Sequence, residues 1–380
     1  MLKRLVSGTK QENSLSSNNT MKQIRLRHVG TWIVFSLILS STSISTVIAQ
    51  SKVGTTAATF LTLGTGARAT GLGHAYTAMA TGPDALFWNP SGISIRFEPT
   101  DPLGSVMFNK KQWFAGINYN ALSLTLPVSK NDRVIGLHAI YMDYGQMDIR
   151  TVDQPEGNGL TFGAYDLAVG VSFASPITST FHLGGTVKYV QQTIYDMRSS
   201  TVAVDIGFTL ITPYLNGMRM GASLMNFGGK MQLDGLNANF IAEPYPGIIG
   251  GNDNVEAAFR MDEWDIPIQF KFGVLIPLVT TEFLDWYVSG ESHQTNDQYL
   301  NADLGSQVVL KTKTTRITPR IGYKDFPLDS KFDFNQVDSH WTFGIGLQSR
   351  LSGIIFGVDY AYVPFDRLGD TSMIDLRIYF

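Results

Sequence analysis

Long stretches of the chain alternate apolar residues with polar or small ones at a period of two. In one stretch Tyr165, Leu167, Val169, Val171 and Phe173 interleave with Asp166, Ala168, Gly170 and Ser172. In another Val202, Val204, Ile206, Phe208 and Leu210 interleave with Ala203, Asp205, Gly207 and Thr209. The same pattern returns over 341–348 and 356–362. Successive side chains on a strand point to opposite faces, so each stretch predicts a β-strand with one apolar and one small or polar face. About fourteen such strands, each long enough to cross a bilayer, fit between Gly104 and the C-terminus.

A soluble sandwich also alternates, but two features favour a membrane barrel. The apolar face is rich in aromatic residues near the strand ends, as at lipid–water interfaces. The connections also alternate in length. Short turns fall at 129–132, 175–179, 212–216, 277–281, 311–313 and 350–352. Longer connections fall at 145–161, 195–199, 228–263, 294–299, 325–339 and 363–371. Outer-membrane barrels pair short periplasmic turns with longer outer loops. The chain ends with Ile374, Leu376, Ile378 and the terminal Phe380 on one face, which resembles the C-terminal signal that such barrels present to the barrel assembly machinery. A sheet in lipid must close to satisfy its backbone, so closure is expected.

Composition agrees. Hydrophobic residues make up 44% and charged residues only 16%, against roughly 25% charged in average soluble domains. There is no cysteine, which excludes disulfides and thiolate metal sites. No basic run points to nucleic acid.

The N-terminus reads as an address. Lys22, Arg25 and Arg27 precede the apolar run 32–39, and small residues lead to Val47, Ile48 and Ala49. This is the plan of a secretory signal peptide cut after Ala49, with Met21 as the expected true start. The apolar run is too short to span a membrane. Residues 1–49 hold six of the 29 Lys+Arg and one of the 32 Asp+Glu, so the remaining chain is acidic.

Residues 54–94 do not alternate. They contain Leu63, Gly64, Gly66, Ala67, Arg68, Ala69, Gly71, Leu72 and Gly73, then Asp84, Ala85, Trp88, Asn89, Pro90, Ser91 and Gly92. A phosphate-binding glycine loop needs a βαβ setting that is missing here. The glycines instead suit tight turns and close backbone approach in a crowded space. A short helix is expected from Phe60, and the Asn89-Pro90 turn is expected to lead the chain toward the first strand.

This run resembles the N-terminal signature of the PorV/PorQ family of outer-membrane proteins. Arg320-Ile321-Gly322-Tyr323 and 358–362, with Pro364, Leu368 and Gly369, resemble later strands of the same family. His74 and Ser91 depart from its usual residues without breaking the pattern. That family is similar to the FadL-like barrels, and the resemblance implies fourteen strands and an N-terminal hatch plugging the lumen. The expected fold is therefore an all-β, transmembrane antiparallel β-barrel of about 14 strands. Its parts are a signal peptide at 1–49, a hatch at 50–103 and the barrel at 104–380. The resemblance implies two roles in the outer membrane. One is docking or shuttling of secreted cargo proteins as a type IX secretion-type component. The alternative is FadL-like transport of hydrophobic small molecules.

Little points to chemistry. The histidines His28, His74, His138, His182, His293 and His340 show no metal-ligand spacing. Ser292-His293 and Ser339-His340 are adjacent on strands and face opposite ways, so neither forms a nucleophile–base pair. No enzyme activity, cofactor or metal is expected. Asp166, Lys188, Asp205, Lys271, Glu291, Asp303, Arg316, Arg320, Asp359, Asp375 and Arg377 fall in inward register and predict a polar lumen held by ion pairs. The 228–263 connection places Met231, Leu233, Leu236, Phe240, Ile241, Tyr245 and Ile248 among glycines and acidic residues. A loop this long is usually functional, and its apolar residues mark it as a partner surface or ligand rim, or as a cover over the barrel mouth.

Overall fold

The computed structural model describes residues 54–96, 100–128, 131–244, 254–328, 340–365 and 369–380. The signal segment 1–49, together with Tyr245 and Ile248 of the long loop, lies outside them.

Fourteen long strands close into one antiparallel barrel. The first seven are β1 (Ser105–Gln112), β2 (Asn118–Pro127), β3 (Val134–Asp148), β4 (Thr161–Pro176), β5 (Phe181–Ile194), β6 (Met197–Ile211) and β7 (Arg219–Gly228). The long loop then holds four short strands, β8 (Met231–Gln232), β9 (Asn239–Ala242), β10 (Val255–Ala258) and β11 (Glu263–Trp264). The barrel resumes with β12 (Gln269–Thr280), β13 (Leu284–Thr295), β14 (Asn301–Lys311), β15 (Thr315–Pro327), β16 (Trp341–Leu351), β17 (Ile354–Val363) and β18 (Thr371–Tyr379). Closure is made by β1 against β18, from Ser105 opposite Tyr379 to Gln112 opposite Ser372. This leaves no sheet edge in the wall.

The period of two sets the two surfaces. On β4, Val169, Val171 and Phe173 face outward, while Asp166, Ala168 and Ser172 are buried inside. On β18, Ile374, Leu376 and Ile378 face outward, and Met373, Asp375 and Arg377 face the lumen. The outer wall is an apolar belt suited to lipid, so the alternating stretches are membrane-spanning strands.

The alternation of loop lengths fails at one place. The connection expected at 195–199 is a two-residue turn, because β5 runs to Ile194 and β6 begins at Met197. Tyr195 supplies the positive φ of 56° that this turn needs. The 277–281 connection also shrinks, since β12 continues to Thr280 through a bulge at Pro277–Val279.

Residues 54–96 fill the lumen. A 3-10 turn spans Thr59–Thr62, a five-residue helix α1 spans Ala67–Gly71, and further 3-10 turns span Gly82–Phe87 and Pro90–Ser94. The expected helix at Phe60 is thus a single 3-10 turn. Leu72, Tyr76, Leu86, Trp88 and Ile93 pack with Val134, Ala174 and Leu275 of the wall. Glycines allow the backbones to meet: a Cβ on Gly71 would lie 2.9 Å from the Gly344 Cα, and a Cβ on Gly184 would lie 2.5 Å from the Pro90 carbonyl carbon.

Candidate functional site

The inner half of the lumen is a lock built from charge. Arg377 reaches Asp84 of the hatch through Nη2 at 2.6 Å and Nε at 3.1 Å. The same guanidinium meets Asp375 at 2.5 Å and also pairs with Asp359. Arg320 pairs with Asp359 at 2.6 Å. Arg68 lies 3.8 Å from Asp84 and 3.9 Å from Asp359. Asp375 in turn accepts from the Ala67 amide at 2.6 Å and from Asn109. Three arginines therefore balance three aspartates, all buried. Removing one partner of such a set leaves an uncompensated buried charge.

Neutral contacts pin the rest of the hatch. The Asn89 amide donates to the Thr77 carbonyl, the Phe208 carbonyl and the Thr209 hydroxyl, each at 3.1 Å, and its oxygen accepts from Ser91 Oγ at 2.7 Å. Pro90 cannot donate, so the turn begins where no hydrogen bond is lost. Trp88 donates to the Thr65 carbonyl at 2.8 Å. Glu291 of β13 accepts from the Tyr76 and Thr77 amides and from the Thr77 hydroxyl, at 2.7–2.9 Å. A Ser–His hydrogen bond does form, between Ser94 and His182 at 2.9 Å, and it ties hatch to wall. Gly66 and Gly73 take positive φ values of 95° and 64° around α1. A Cβ on Gly64 would collide with the His74 ring, and one on Gly92 with the Ala80 carbonyl. Burial, followed by the Lys324 ammonium, pushes the His74 imidazole well below its ordinary pKa, so it is neutral.

The outer half is built differently. A cavity of about 880 Å³ opens at the mouth, between the ends of β3 to β6, the β1–β2 connection and the base of the long loop. Ile117, Met147, Ile194, Met231, Leu233 and Trp264 give it apolar walls. Its polar corner is Asp166, which accepts from the Tyr144 hydroxyl at 2.6 Å and from Gln192 at 3.1 Å. Gln192 also accepts from the Ala58 amide at 2.8 Å, which fastens the start of the hatch to this corner. Tyr144 points inward because it continues the inward register of His138, Ile140 and Met142 along β3.

The rim residues of the 228–263 loop divide. Met231 is buried against Ala58, Phe60, Met142 and Ile266. Leu233 lines the cavity. Leu236, Phe240 and Ile241 are exposed, and Phe240 stacks on Phe259 across the β9–β10 hairpin at 4.6 Å. The base of the loop thus folds over the mouth, while its hairpin stands clear.

Sequence spacing missed a cluster that the fold assembles. His293 Nδ1 lies 2.9 Å from Asp303, and its Nε2 lies 3.5 Å from Asp325. The Asp325 amide donates to Asp303 at 2.7 Å. A single bulge does this: on β15 Lys324 and Asp325 together stand opposite Asp303 of β14, and Asp325 takes a φ of 57°. Both ring nitrogens face carboxylates, so the imidazole bridges the two aspartates. No residue type in the sequence announces a bulge at a non-glycine position.

No protein-family model and no curated protein sequence matches the chain. Solved structures do resemble it. The CymD monoaromatic hydrocarbon channel matches at 11% identity over 83% of this chain and 96% of its own, with a TM-score of 0.52. The Pseudomonas putida toluene transporter TodX matches at 11% identity over 83% and 97%, with a TM-score of 0.51. A Pseudomonas aeruginosa FadL homologue is similar at 12% identity over 83% and 98%, with a TM-score of 0.48. The likeness to CymD and TodX is one of fold: a closed β-barrel.

Proposed function

We propose that this protein is an outer-membrane channel that takes up hydrophobic small molecules from outside the cell. The observation that carries this reading is the apolar cavity of about 880 Å³ at the barrel mouth. It lies within the roughly 300–1,000 Å³ typical of small-molecule sites, which combine apolar walls with a few polar groups. CymD and TodX, which share the fold, are described as a monoaromatic hydrocarbon channel and a toluene transporter. A ligand in the cavity lies beside the Asp166–Gln192–Ala58 latch. Loosening that latch would release the start of the hatch and begin a path through the lumen. The PorV/PorQ-like motif, Gly64 to Gly73 and Asp84 to Gly92, is read as the structural seat of this hatch. Ile374, Leu376, Ile378 and Phe380 are read as the assembly signal on the closing strand.

The test is binding of a polarity-sensitive naphthylamine dye to the purified barrel. Leu233→Asp and Met147→Asp should each abolish the fluorescence gain while the barrel stays folded. Unchanged dye binding in both folded variants would remove the cavity from consideration.

The exposed Leu236, Phe240, Ile241 and Phe259 favour a second reading, the docking of secreted proteins in a type IX secretion-type system. Mass spectrometry of material co-purified from native membranes separates the two. Secreted proteins sharing one C-terminal export domain would favour docking. A stoichiometric apolar molecule without them would favour transport.

A further inference from the structure

A chamber of about 170 Å³ lies above the hatch, bounded by Gly64, His74 and Trp88 and by the inner faces of the barrel wall. Lys111 of β1, Lys271 of β12 and Lys324 of β15 all line it. Lys324 pairs with Asp325 at 3.1 Å. The other two differ. Lys111 is 5% exposed and Lys271 9%, yet among the described residues neither forms an ion pair. The Lys111 ammonium lies 4.2 Å from the Trp113 ring and 3.5 Å from the Gly64 carbonyl. That of Lys271 lies 4.0 Å from the Trp88 ring.

The carboxylates of the chamber are already engaged. Glu291 receives three hatch donors, and Asp303 and Asp325 hold His293 and Lys324. Aromatic faces offset only part of the cost of burying an ammonium. Deeper in the same lumen every arginine of the lock has an aspartate. Two buried ammonium groups that form no ion pair and face open space therefore mark a place suited to an anion from outside the chain. The walls and size describe the rest of that anion: Trp88, Trp113 and Phe365 line the space, and an engineered cavity of roughly 150 Å³ holds benzene.

We propose that this chamber binds a small aromatic carboxylate, with its carboxyl group held by Lys111 and Lys271 and its ring against the tryptophan walls. The proposal rests on the chamber's own groups and stands whether or not the rim cavity takes an apolar ligand.

The test is calorimetric titration of the full barrel, in an uncharged detergent, with benzoate, its neutral isostere benzamide, and acetate. Benzoate should bind saturably, at least about tenfold tighter than benzamide or acetate. Lys271→Met and Lys111→Met should each weaken benzoate by about tenfold or more, while Lys271→Arg stays within about threefold. Heat-modifiable gel mobility verifies that each variant is folded. The proposal is overturned if benzamide binds as well as benzoate, if both folded Met variants keep wild-type benzoate affinity, or if folded wild type binds no benzoate. The naphthylamine titration reads the rim cavity separately, so the two proposals fail independently.

Discussion

The two halves of the lumen use the same residue types to opposite ends. In the inner half, Arg68, Arg320 and Arg377 are matched by Asp84, Asp359 and Asp375, and no sizeable space remains beside them. In the outer half, Lys111 and Lys271 form no ion pair among the described residues and border a chamber, and an apolar cavity opens above. Burial penalises charge in both places. Where that penalty is met by ion pairs inside the chain, hatch and wall are locked together; where it is not, open space remains beside the charges. The difference separates a filled half from a hollow half within one barrel.

The largest expected effect breaks the sealed half. Arg377→Ala leaves Asp84, Asp359 and Asp375 short of a cation, and loss of one partner from a buried pair costs about 3–5 kcal/mol. The heat-modifiable transition should fall sharply in temperature, and cells carrying the variant should admit large antibiotics. A seal that holds in both assays would mean that the arginine lock is not what retains the hatch.

Next comes the close approach of backbones. Gly344→Leu puts a side chain where Gly344 would meet the Gly71 Cα at 3.0 Å. The hatch should lose its seat, and limited proteolysis should cut residues 54–96 in the variant but not in wild type. Protection equal to wild type would show that α1 can shift without cost.

A third substitution tests the outside instead of the inside. Ile345→Arg faces lipid, where an arginine near the midplane costs about 2–4 kcal/mol. Stability measured in lipid vesicles should drop by that order, while benzoate and dye binding in the surviving barrel stay unchanged. A binding change would mean that wall and lumen are coupled.

The smallest effect belongs to the hairpin that stands clear of both halves. Ile241→Ser should change stability by less than about 0.5 kcal/mol, as for exposed positions. Differential scanning of the purified barrel reads this directly, and a large loss would place the hairpin in the fold rather than beyond it.

Much of this was legible in the chain. Period-two alternation marks the strands because lipid and lumen demand opposite side chains at alternate positions. Asp205, Asp359, Asp375 and Arg377 are recognisably inward for the same reason, and the glycines of 64–92 announce crowding before any contact is seen. The two-residue turn at Tyr195 was not legible, since its positive φ is carried by a non-glycine residue. The His293–Asp303–Asp325 cluster was also hidden, because a bulge on β15 re-aims Asp325 toward Asp303, whose own inward register was legible.

The sequence by itself therefore determined the spanning strands, an apolar outer face and a charged inner face. Those properties depend on periodicity and residue type, which are local. Only the tertiary structure decided which charges found partners. Arg377 and Asp84 are far apart in the chain and meet because the last strand closes against the first and the hatch threads between them. Lys111 and Lys271 share the inward register of the lock residues, yet among the described residues they form no ion pair, because the carboxylates of their chamber hold the hatch amides, His293 and Lys324. Pairing is a property of distance in space, and in a closed barrel that distance is set by the whole wall at once.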